Sequence, residues 1–434
     1  MATALSQFDR PQQLIETQCR VALIGFGTVG SAVARLLYAR RDDCSLRLTH
    51  VCNRNIGRKR VGWIAPDICW TESIQQVLAS DADVIIELMG GLEPAHELLR
   101  TALQRGKSVV TANKQLIARF GPELLELARQ NHQYLGFGAC VAGGVPVLSG
   151  LHDGLAGDRI VQICGILNGT CNYILTQIEQ AGLSFEDALR EAQQAGFAEA
   201  DPTDDIDGQD AAAKLAILAR VGLKVDASLR QVICRSIRHI EALDFEYAHD
   251  LGSTIRQIST AKLHNGRAYL SVEPSLVLNE SPLARVAGRQ NLVVSTGEFG
   301  GETTFGGHGA GGDPTAVAVV SDLLQAARGR SRGIELPSRD AAVACEFTTD
   351  LEAPHYLRFV VRDRPGIIAA IGGALASCHI NLDAVLQKPG HSKSALPFVI
   401  TLEPCTRTQL DAALTKIAAF DFLAEAPMIM PILK

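Results

Sequence analysis

The sequence predicts an α/β protein in which a doubly wound parallel sheet is followed by an α+β unit and a small open-sheet module. Three observations predict it. Short apolar runs alternate with helical periodicity up to about residue 150, the alternation then gives way to consecutive helices and longer strands, and the chain after about Glu352 reads β-α-β-β-α-β.

The run Cys19 to Gly25 (CRVALIG) is rich in small and branched apolar residues, and Thr28 to Arg40 repeats apolar positions at helical spacing. That is strand, glycine turn, helix. Runs at Ser45 to Cys52, Ala82 to Met89 and Lys107 to Thr111 alternate with helical stretches at Pro94 to Arg105 and Pro122 to Asn131. Alternation on this scale predicts a Rossmann-like sheet over 19–150, preceded by an N-terminal extension, 1–18. From about Asp158 a strand (RIVQICGIL) leads into several helices through about Leu223, then strands near Ser259 to Leu263, Arg267 to Val272 and Leu292 to Ser295. A glycine-dense stretch (GEFGGETTFGGHGAGGDPT) precedes the helix Thr315 to Ala327. This predicts an α+β unit over 151–330 and a linker over 331–352. In 353–434, HYLRFVVRD, a helix through about Cys378, INLDAVLQ, ALPFVITLE, a helix from Arg407 to Ala419 and APMIMPIL make a ferredoxin-like module.

Composition narrows the class. The 434 residues are 47% hydrophobic and 20% charged, enough for two to four domains with sizeable cores. A net charge of -6 offers no positive field for a polyanion, so nucleic acid is not an expected partner. Eleven cysteines at scattered spacings, with no C-x-x-C pair, read as reduced thiols rather than zinc ligands or disulfides. Asp9, Arg10 and Pro11 interrupt the N-terminus where a signal peptide needs an apolar stretch, and no apolar run is long enough to span a bilayer. The expectation is a cytoplasmic protein without a membrane partner.

Gly25-Phe26-Gly27-Thr28-Val29-Gly30 matches G-x-G-x-x-G between an apolar strand and a helix, where bare backbone lets a dinucleotide pyrophosphate meet the helix N-terminus. An NAD-selective site usually ends its second strand on an acid; here it ends His50-Val51-Cys52-Asn53-Arg54, followed by Arg58, Lys59 and Arg60. Asn53 and Arg54 therefore favour NADP over NAD, against the alternative of a solvated basic loop. The acidic stretch from Gly196 to Lys214 is not a calcium loop, since a register with Gly208 at position 6 puts Lys214 at position 12. Asp201 and Asp207 read as helix caps. Asp210 and Lys214 share one helix face within DAAAKLAIL, either as a surface ion pair or, on a buried helix, as a proton-transfer pair. Lys114 in Thr111-Ala112-Asn113-Lys114 follows the fourth strand at the edge where such sheets bind ligands, or is a solvated loop lysine.

Taken in order and spacing, GFGTVG, VIIELMGG, VVTANK, VAGGVP, GILNGTCNYIL, GFAEADPTDDIDGQDAAAKLAIL and GGHGAGGDPTAVAVVSDLL resemble the homoserine dehydrogenase family from about Arg20 to Gly329. Asp363-Arg364-Pro365-Gly366 and the terminal module resemble the ACT domain that many bacterial members carry. The resemblance implies reversible NAD(P)H-dependent reduction of L-aspartate 4-semialdehyde to L-homoserine, on the branch to threonine, isoleucine and methionine. It makes 151–330 the catalytic and dimerisation domain and implies a homodimer or homotetramer. Residue by residue, it makes Lys214 the proton donor, Asp210 its orienting carboxylate, and Lys114 a partner in proton transfer or in binding. It places Glu199, Asp205, Gly169 and Thr170 at the substrate, and Gly196 and Gly309 near the cofactor. It implies a Na+ or K+ ion on the carbonyls of Gly138, Val141, Gly143 and Val145, and L-threonine as an effector near Asp363, Gly366 and Asn381.

There are departures. Gly138 stands where the family usually has Glu, His308 replaces a common Pro, and Thr401-Leu402-Glu403-Pro404 lacks the family's Thr-His pair. Two other readings compete. A non-catalytic dinucleotide and amino-acid sensor would not need Glu199, Asp210, Lys114 and Lys214 together. Aspartate-semialdehyde dehydrogenase chemistry needs a nucleophilic cysteine, and Cys140 and Cys171 have no histidine nearby in sequence.

Overall fold

The structure is a computed structural model that describes residues 18–41, 45–329, 333–334 and 342–433. The expected N-terminal extension up to residue 17, and residues 331–332 and 335–341 of the expected linker, lie outside the described residues.

The first sheet is built from β1 (Cys19–Ile24), β2 (Leu46–Cys52), β3 (Cys69–Thr71), β4 (Val84–Glu87), β5 (Ser108–Thr111) and β6 (Leu135–Gly136). All pairings are parallel and the order is β3-β2-β1-β4-β5-β6, the doubly wound arrangement. Its helices are α1 (Thr28–Ala39), α2 (Ile56–Lys59), α3 (Ile74–Ala79), α4 (Ala95–Gln104) and α5 (Lys114–Gln130). The central strands are apolar on both faces because helices cover both: Ala22, Ile24, Ile85 and Val109 pack on one side, Val21, Leu23, Val84, Ile86 and Val110 on the other. The helix expected from Pro122 starts eight residues earlier, at Lys114, because the Asn113 side chain accepts the Leu116 N–H as its cap.

The chain leaves this unit through α6 (Val147–Ser149) and builds β7 (Ile160–Ile166), α7 (Gly169–Ala181), α8 (Phe185–Gln194), α9 (Thr203–Ile206) and α10 (Gln209–Leu218). Then follow β8 (Ile233–Cys234), α11 (Ala242–Asp250), β9 (Ser253–His264), β10 (Arg267–Leu278), β11 (Gln290–Gly297), β12 (Gly301–His308) and α12 (Gly312–Ala327). β12 occupies part of the glycine-dense stretch, where no strand is apparent from sequence: Gly306 and Gly307 carry no alternating side chains, yet the segment pairs with β11 from Gly297↔Gly301 to Gln290↔His308. Ala211–Ala213 and Leu215 of α10 pack with Ile163, Ala261, Leu270 and Val272 of the sheet, so α10 is almost wholly buried. The apolar helix α12 returns to the first unit, where Ala316, Val319, Val320 and Leu323 pack with Ala32 and Val33 of α1. The stretch 151–330 is therefore not one packing unit, since 312–327 packs with the first.

The last unit comprises β13 (Glu346–Phe347), β14 (Ala353–Val361), α13 (Ile367–Ala376), β15 (Leu382–Leu386), β16 (Leu396–Cys405), α14 (Arg407–Ile417) and β17 (Met428–Leu433). Its strand order, β17-β14-β16-β15, is that of a ferredoxin-like fold, with α13 and α14 packed on Phe359, Phe398 and Ile400. β17 pairs parallel with β10 (Leu276↔Ile432, Val277↔Leu433), which fuses the middle and terminal sheets into one of eleven strands. Arg358 of β14 reinforces the join, with Nε 2.8 Å from Asp244 and further contacts to Glu241 and Glu425.

Candidate active site

The glycine loop has the geometry a dinucleotide requires. Gly25 adopts φ +98°, and a Cβ on Gly30 would stand 2.0 Å from the Gly25 carbonyl oxygen, so both positions must lack a side chain. A Cβ on Gly27 would meet nothing within 4 Å, which leaves room beside the backbone for a pyrophosphate. The N-terminus of α1 has neither a side-chain cap nor an acidic residue in its first turn, so its N–H groups and positive dipole end are available to an anion. Phe26, Thr28 and Val29 complete this turn. Asn53, at the exit of β2, accepts the Phe26 N–H through its side chain (2.9 Å), tying the loop to the second strand, while Arg54 beside it is exposed. An acid does reach this corner: Glu72, just after β3, accepts the Ile56 N–H (3.0 Å). It escaped the sequence reading because it comes from the next strand rather than the end of β2.

Where α5 of the first unit meets α10 of the middle unit, three charged groups come together. Asp210, in the first turn of α10, lies 2.6 Å from Lys214 Nζ through Oδ2 and 3.1 Å from Lys114 Nζ through Oδ1. The spacing of four places Asp210 and Lys214 on one helix face. Lys114 arrives from the other unit, at the start of α5. Its position is set by a relay: buried Glu87 accepts the Thr111 hydroxyl (2.6 Å), the Thr111 hydroxyl oxygen accepts the Asn113 N–H (3.0 Å), and the Asn113 amide donates to the Gly91 carbonyl (2.5 Å). Lys214 Nζ donates also to the Leu167 carbonyl (2.8 Å), which uses two of its three hydrogens.

Asn168 locks the carboxylates. Its side-chain oxygen caps α7 by accepting the Cys171 N–H (2.8 Å), which fixes its amide to donate to Asp205 (2.7 Å) and Asp210 (2.9 Å). An Asn directly before a helix start is a capping signal, and nothing local in the sequence signals the bridge to the two carboxylates. Burial opposes the charge on Asp210, but the ammonium groups of Lys214 and Lys114 outweigh it and hold the carboxyl well below its ordinary range. Asp210 in turn raises the Lys114 pKa against burial. Burial raises that of Asp205, with the Asn168 bond opposing. The site therefore holds a fixed carboxylate and an ammonium that stays charged.

The remaining candidates lie around this cluster. Gly169 opens α7, and the Thr170 hydroxyl donates to the Phe197 carbonyl (2.9 Å), tying α7 to the 195–202 loop. That loop carries Gly196 (φ +70°) and an exposed Glu199. Gly309 is buried against Asn291. Cys140 and Cys171 are buried, and burial pushes both thiols well above their ordinary pKa, the opposite of an activated nucleophile.

Residues 138–145 form a tight turn with Ala142 and Gly143 in the left-handed region (φ +53° and +50°). The donors offered are hard carbonyl oxygens of Gly138, Val141, Gly143 and Val145, the last also accepting the Val147 N–H (2.8 Å). Where residue 138 has no side chain, the Asp322 carboxylate of α12 fills the space and accepts the Gly138 N–H (2.8 Å); burial pushes its pKa up to about 7. Carbonyl oxygens are hard donors of the type that alkali and alkaline-earth cations take. Among the described residues no His, Cys, Asp and Glu cluster could hold a metal. His308, exposed at the end of β12, accepts the Gly144 N–H through its carbonyl (3.3 Å). In the terminal unit, Asp363 and Gly366 share a cavity of about 300 Å³ with Arg364, Gln387 and Phe398. Asn381 is not in its lining; its amide donates to Glu403 (2.9 Å).

Comparison with known proteins bears on this arrangement. A family model described as homoserine dehydrogenase matches residues 146–324, one described as the NAD-binding domain of homoserine dehydrogenase matches 25–137, and one for the ACT domain matches 355–422. A homoserine dehydrogenase of Synechocystis sp. is 36% identical over 430 residues, covering 95% of this chain and 99% of its own. One of Bacillus subtilis is 36% identical over 396 residues, 88% of this chain and 91% of its own. The crystal structure of a homoserine dehydrogenase from Thiobacillus denitrificans superposes with a TM-score of 0.89 at 32% identity, covering 96% of this chain and 98% of that one. A hyperthermophilic archaeal homoserine dehydrogenase in complex with NADPH matches with a TM-score of 0.64 at 26% identity, over 73% of this chain and 99% of that one.

Proposed function

This chain belongs to the homoserine dehydrogenase family and is an oxidoreductase acting on a CH–OH group, and from that premise we propose that it reduces L-aspartate 4-semialdehyde to L-homoserine reversibly, with NADP, at the Lys114–Asp210–Lys214 cluster. The observation that carries the proposal is a single carboxylate holding ammonium groups from both units. The nicotinamide, when bound, supplies or accepts the hydride.

In the reducing direction, charge develops on the carbonyl oxygen as the carbon is reduced. Lys214 has one N–H left after its bonds to Asp210 and Leu167, and that N–H stabilises the oxygen and then protonates it. Lys114 steadies the same oxygen or the substrate. Glu199 pairs with the substrate ammonium, and Asp205, Gly169 and Thr170 line its pocket, while Gly196 and Gly309 border the cofactor. The exposed basic run after β2, with Arg54 at its head, favours the 2′-phosphate of NADP.

A Na+ or K+ ion on the carbonyls of Gly138, Val141, Gly143 and Val145 would brace the turn and takes no part in proton transfer. The terminal unit is an ACT domain, and we infer L-threonine as the effector of the loop at Asp363 and Gly366, with product feeding threonine, isoleucine and methionine synthesis. We infer also a homodimer or homotetramer and a cytoplasmic location; among the described residues no helix is long and apolar enough to cross a membrane.

The test is absorbance at 340 nm with L-homoserine, wild type beside Lys214→Ala, with NAD and NADP in parallel and L-threonine in half the samples. Turnover that collapses in the variant while dinucleotide binding persists supports the proposal. Dinucleotide binding without turnover in the wild type overturns it in favour of a sensor.

A further inference from the structure

Pairing in the eleven-stranded sheet is interrupted along one edge of β10. That edge pairs with β8 at Ser271↔Ile233 and Val272↔Cys234, and with β17 at Leu276↔Ile432 and Val277↔Leu433. Between them Glu273, Pro274 and Ser275 have no strand partner on this side among the described residues, and Pro274 has no N–H to offer one. A cavity of about 280 Å³ opens over this gap. Its walls come from the middle unit (Arg235, Tyr269, Glu273) and from the ACT domain (His355, Arg407, Asp411), so it is formed only where the two meet.

The charges in this cavity are unusual for a join between sheets. Glu273 is buried, 3.0 Å from Arg235 Nε, and accepts the Tyr269 hydroxyl (2.9 Å). Arg407 sits at the first position of α14, the end of a helix that disfavours a cation, and its Nε lies 2.8 Å from Asp411. Both guanidinium groups keep their terminal nitrogens without a hydrogen bond to another described residue. The four charges sum to zero, two of each sign. Apolar wall is supplied by Ile233, Leu351, Ile429 and Ile432. A neutral site with separate positive and negative groups and an aliphatic floor matches a zwitterion with a short aliphatic side chain, and matches neither an isolated anion nor an isolated cation.

We propose that this cavity binds a small aliphatic α-amino acid, at a place separate from both the active site and the Asp363–Gly366 loop. The ligand carboxylate meets Arg407 and Arg235, its ammonium meets Glu273 and Asp411, and its side chain lies on Ile233, Leu351 and Ile432. The site also has a route to the catalytic helix. The Arg235 N–H donates to the Val272 carbonyl (2.9 Å), and the Val272 side chain lies where a Cβ on Gly208 would be 3.0 Å away, two residues before Asp210.

The experiment is calorimetric titration of the full chain with L-valine, L-isoleucine and L-threonine, and with isobutylamine and isobutyrate, which each keep one charge. Arg407→Ala removes the carboxylate partner, and Thr349→Trp plugs the mouth from an exposed position, so neither disturbs the core. Asp363→Ala serves as the control in the other loop. The expected result is a binding event for L-valine or L-isoleucine that is weakened about tenfold or more in both cavity variants and with both singly charged analogues and persists in Asp363→Ala, with basal turnover intact in the two cavity variants. Absence of amino-acid binding to the wild type overturns the proposal, as does binding lost in Asp363→Ala but kept in the cavity variants. A change of oligomeric state in Thr349→Trp without amino-acid binding to the wild type also overturns it and assigns the cavity to an interface between copies. All three leave the dehydrogenase reading standing, because turnover is measured independently.

Discussion

Asp210 and Lys114 lie 3.1 Å apart although they belong to different units, one opening α10 and the other opening α5. The contact closes the site only when both units are in register. Each helix start is set locally, Lys114 by the Asn113 cap and Asp210 by the turn at Gly208, and the ion pair joins two independently determined ends.

Asp210→Asn tests what that carboxylate does. Two ammonium groups would then face each other without the carboxylate that bridges them, leaving Asp205 as the nearby counter-charge, and burial would lower the pKa of Lys114. We expect kcat to fall about 10²- to 10⁴-fold with dinucleotide binding unchanged, and the alkaline limb of residual activity to move to lower pH. A stopped pH series on wild type and variant measures it. Retention of the wild-type alkaline limb would show that Asp210 does not control Lys114.

Gly30→Ala tests the loop. The added methyl would stand 2.0 Å from the Gly25 carbonyl oxygen, backbone that cannot give way without moving the phosphate-binding turn. Dinucleotide affinity should drop about tenfold or more and stability by roughly 1 to 3 kcal/mol. Fluorescence titration and denaturant melts separate the two effects.

Arg358→Ala tests the seam between middle and terminal units. It would leave Asp244, fully buried, with only the Tyr356 hydroxyl and the Glu241 N–H as hydrogen-bond partners among the described residues, a loss of about 3 to 5 kcal/mol. The double variant Arg358→Met with Asp244→Leu removes both charges and should recover most of that loss. Equal destabilisation by the single and double variants in urea melts would refute the buried-pair explanation.

His355 gives stability a pH dependence. Burial first, then the nearby charges of Arg407 and Arg235, push its pKa down to about 4 from 6.5. Below pH 6.5 the unfolded chain takes up the proton first, so stability falls as pH drops from about 6.5 towards 4 and is complete above 6.5, by at most roughly 3 kcal/mol. His355→Leu should flatten that part of the stability profile. An unchanged slope between pH 4 and 6.5 would exclude His355 as its source.

How much was legible beforehand depended on whether a signal was local. The glycine loop between strand and helix, the pair Asp210 and Lys214 on one helix face, and the terminal β-α-β-β-α-β pattern are all local, and the structure brings each into place. The meeting of Lys114 with Asp210 is implied by the family resemblance alone, because nothing in either segment specifies how two units dock. Asn168 reads as an ordinary cap until Asp205 and Asp210 are seen around its amide. Glu72 and Glu87 look like solvated strand ends, yet one holds the turn after β2 and the other the turn that presents Lys114. The return of α12 to the first unit was hidden for the same reason: its apolar face specifies burial but not against what.

That return means the backbone joins the first two units near residues 141–147 and again near 308–312, before the chain comes back from α12 to place β13 beside β10. The two passages touch: the Gly144 N–H donates to the His308 carbonyl (3.3 Å), and a Cβ on Gly143 would stand 2.7 Å from the Gly309 carbonyl oxygen. Two tethers fastened at one place brace each other, and they border a core that the first two units share, Ala22, Ile85 and Leu116 of one packing in the same cluster as Ile163, Ala211 and Val272 of the other, so the join resists sliding. Glycine at 143 and 309 is then a mechanical requirement as much as a chemical one, and bulk at either position stiffens or splays the joint before it touches any ligand.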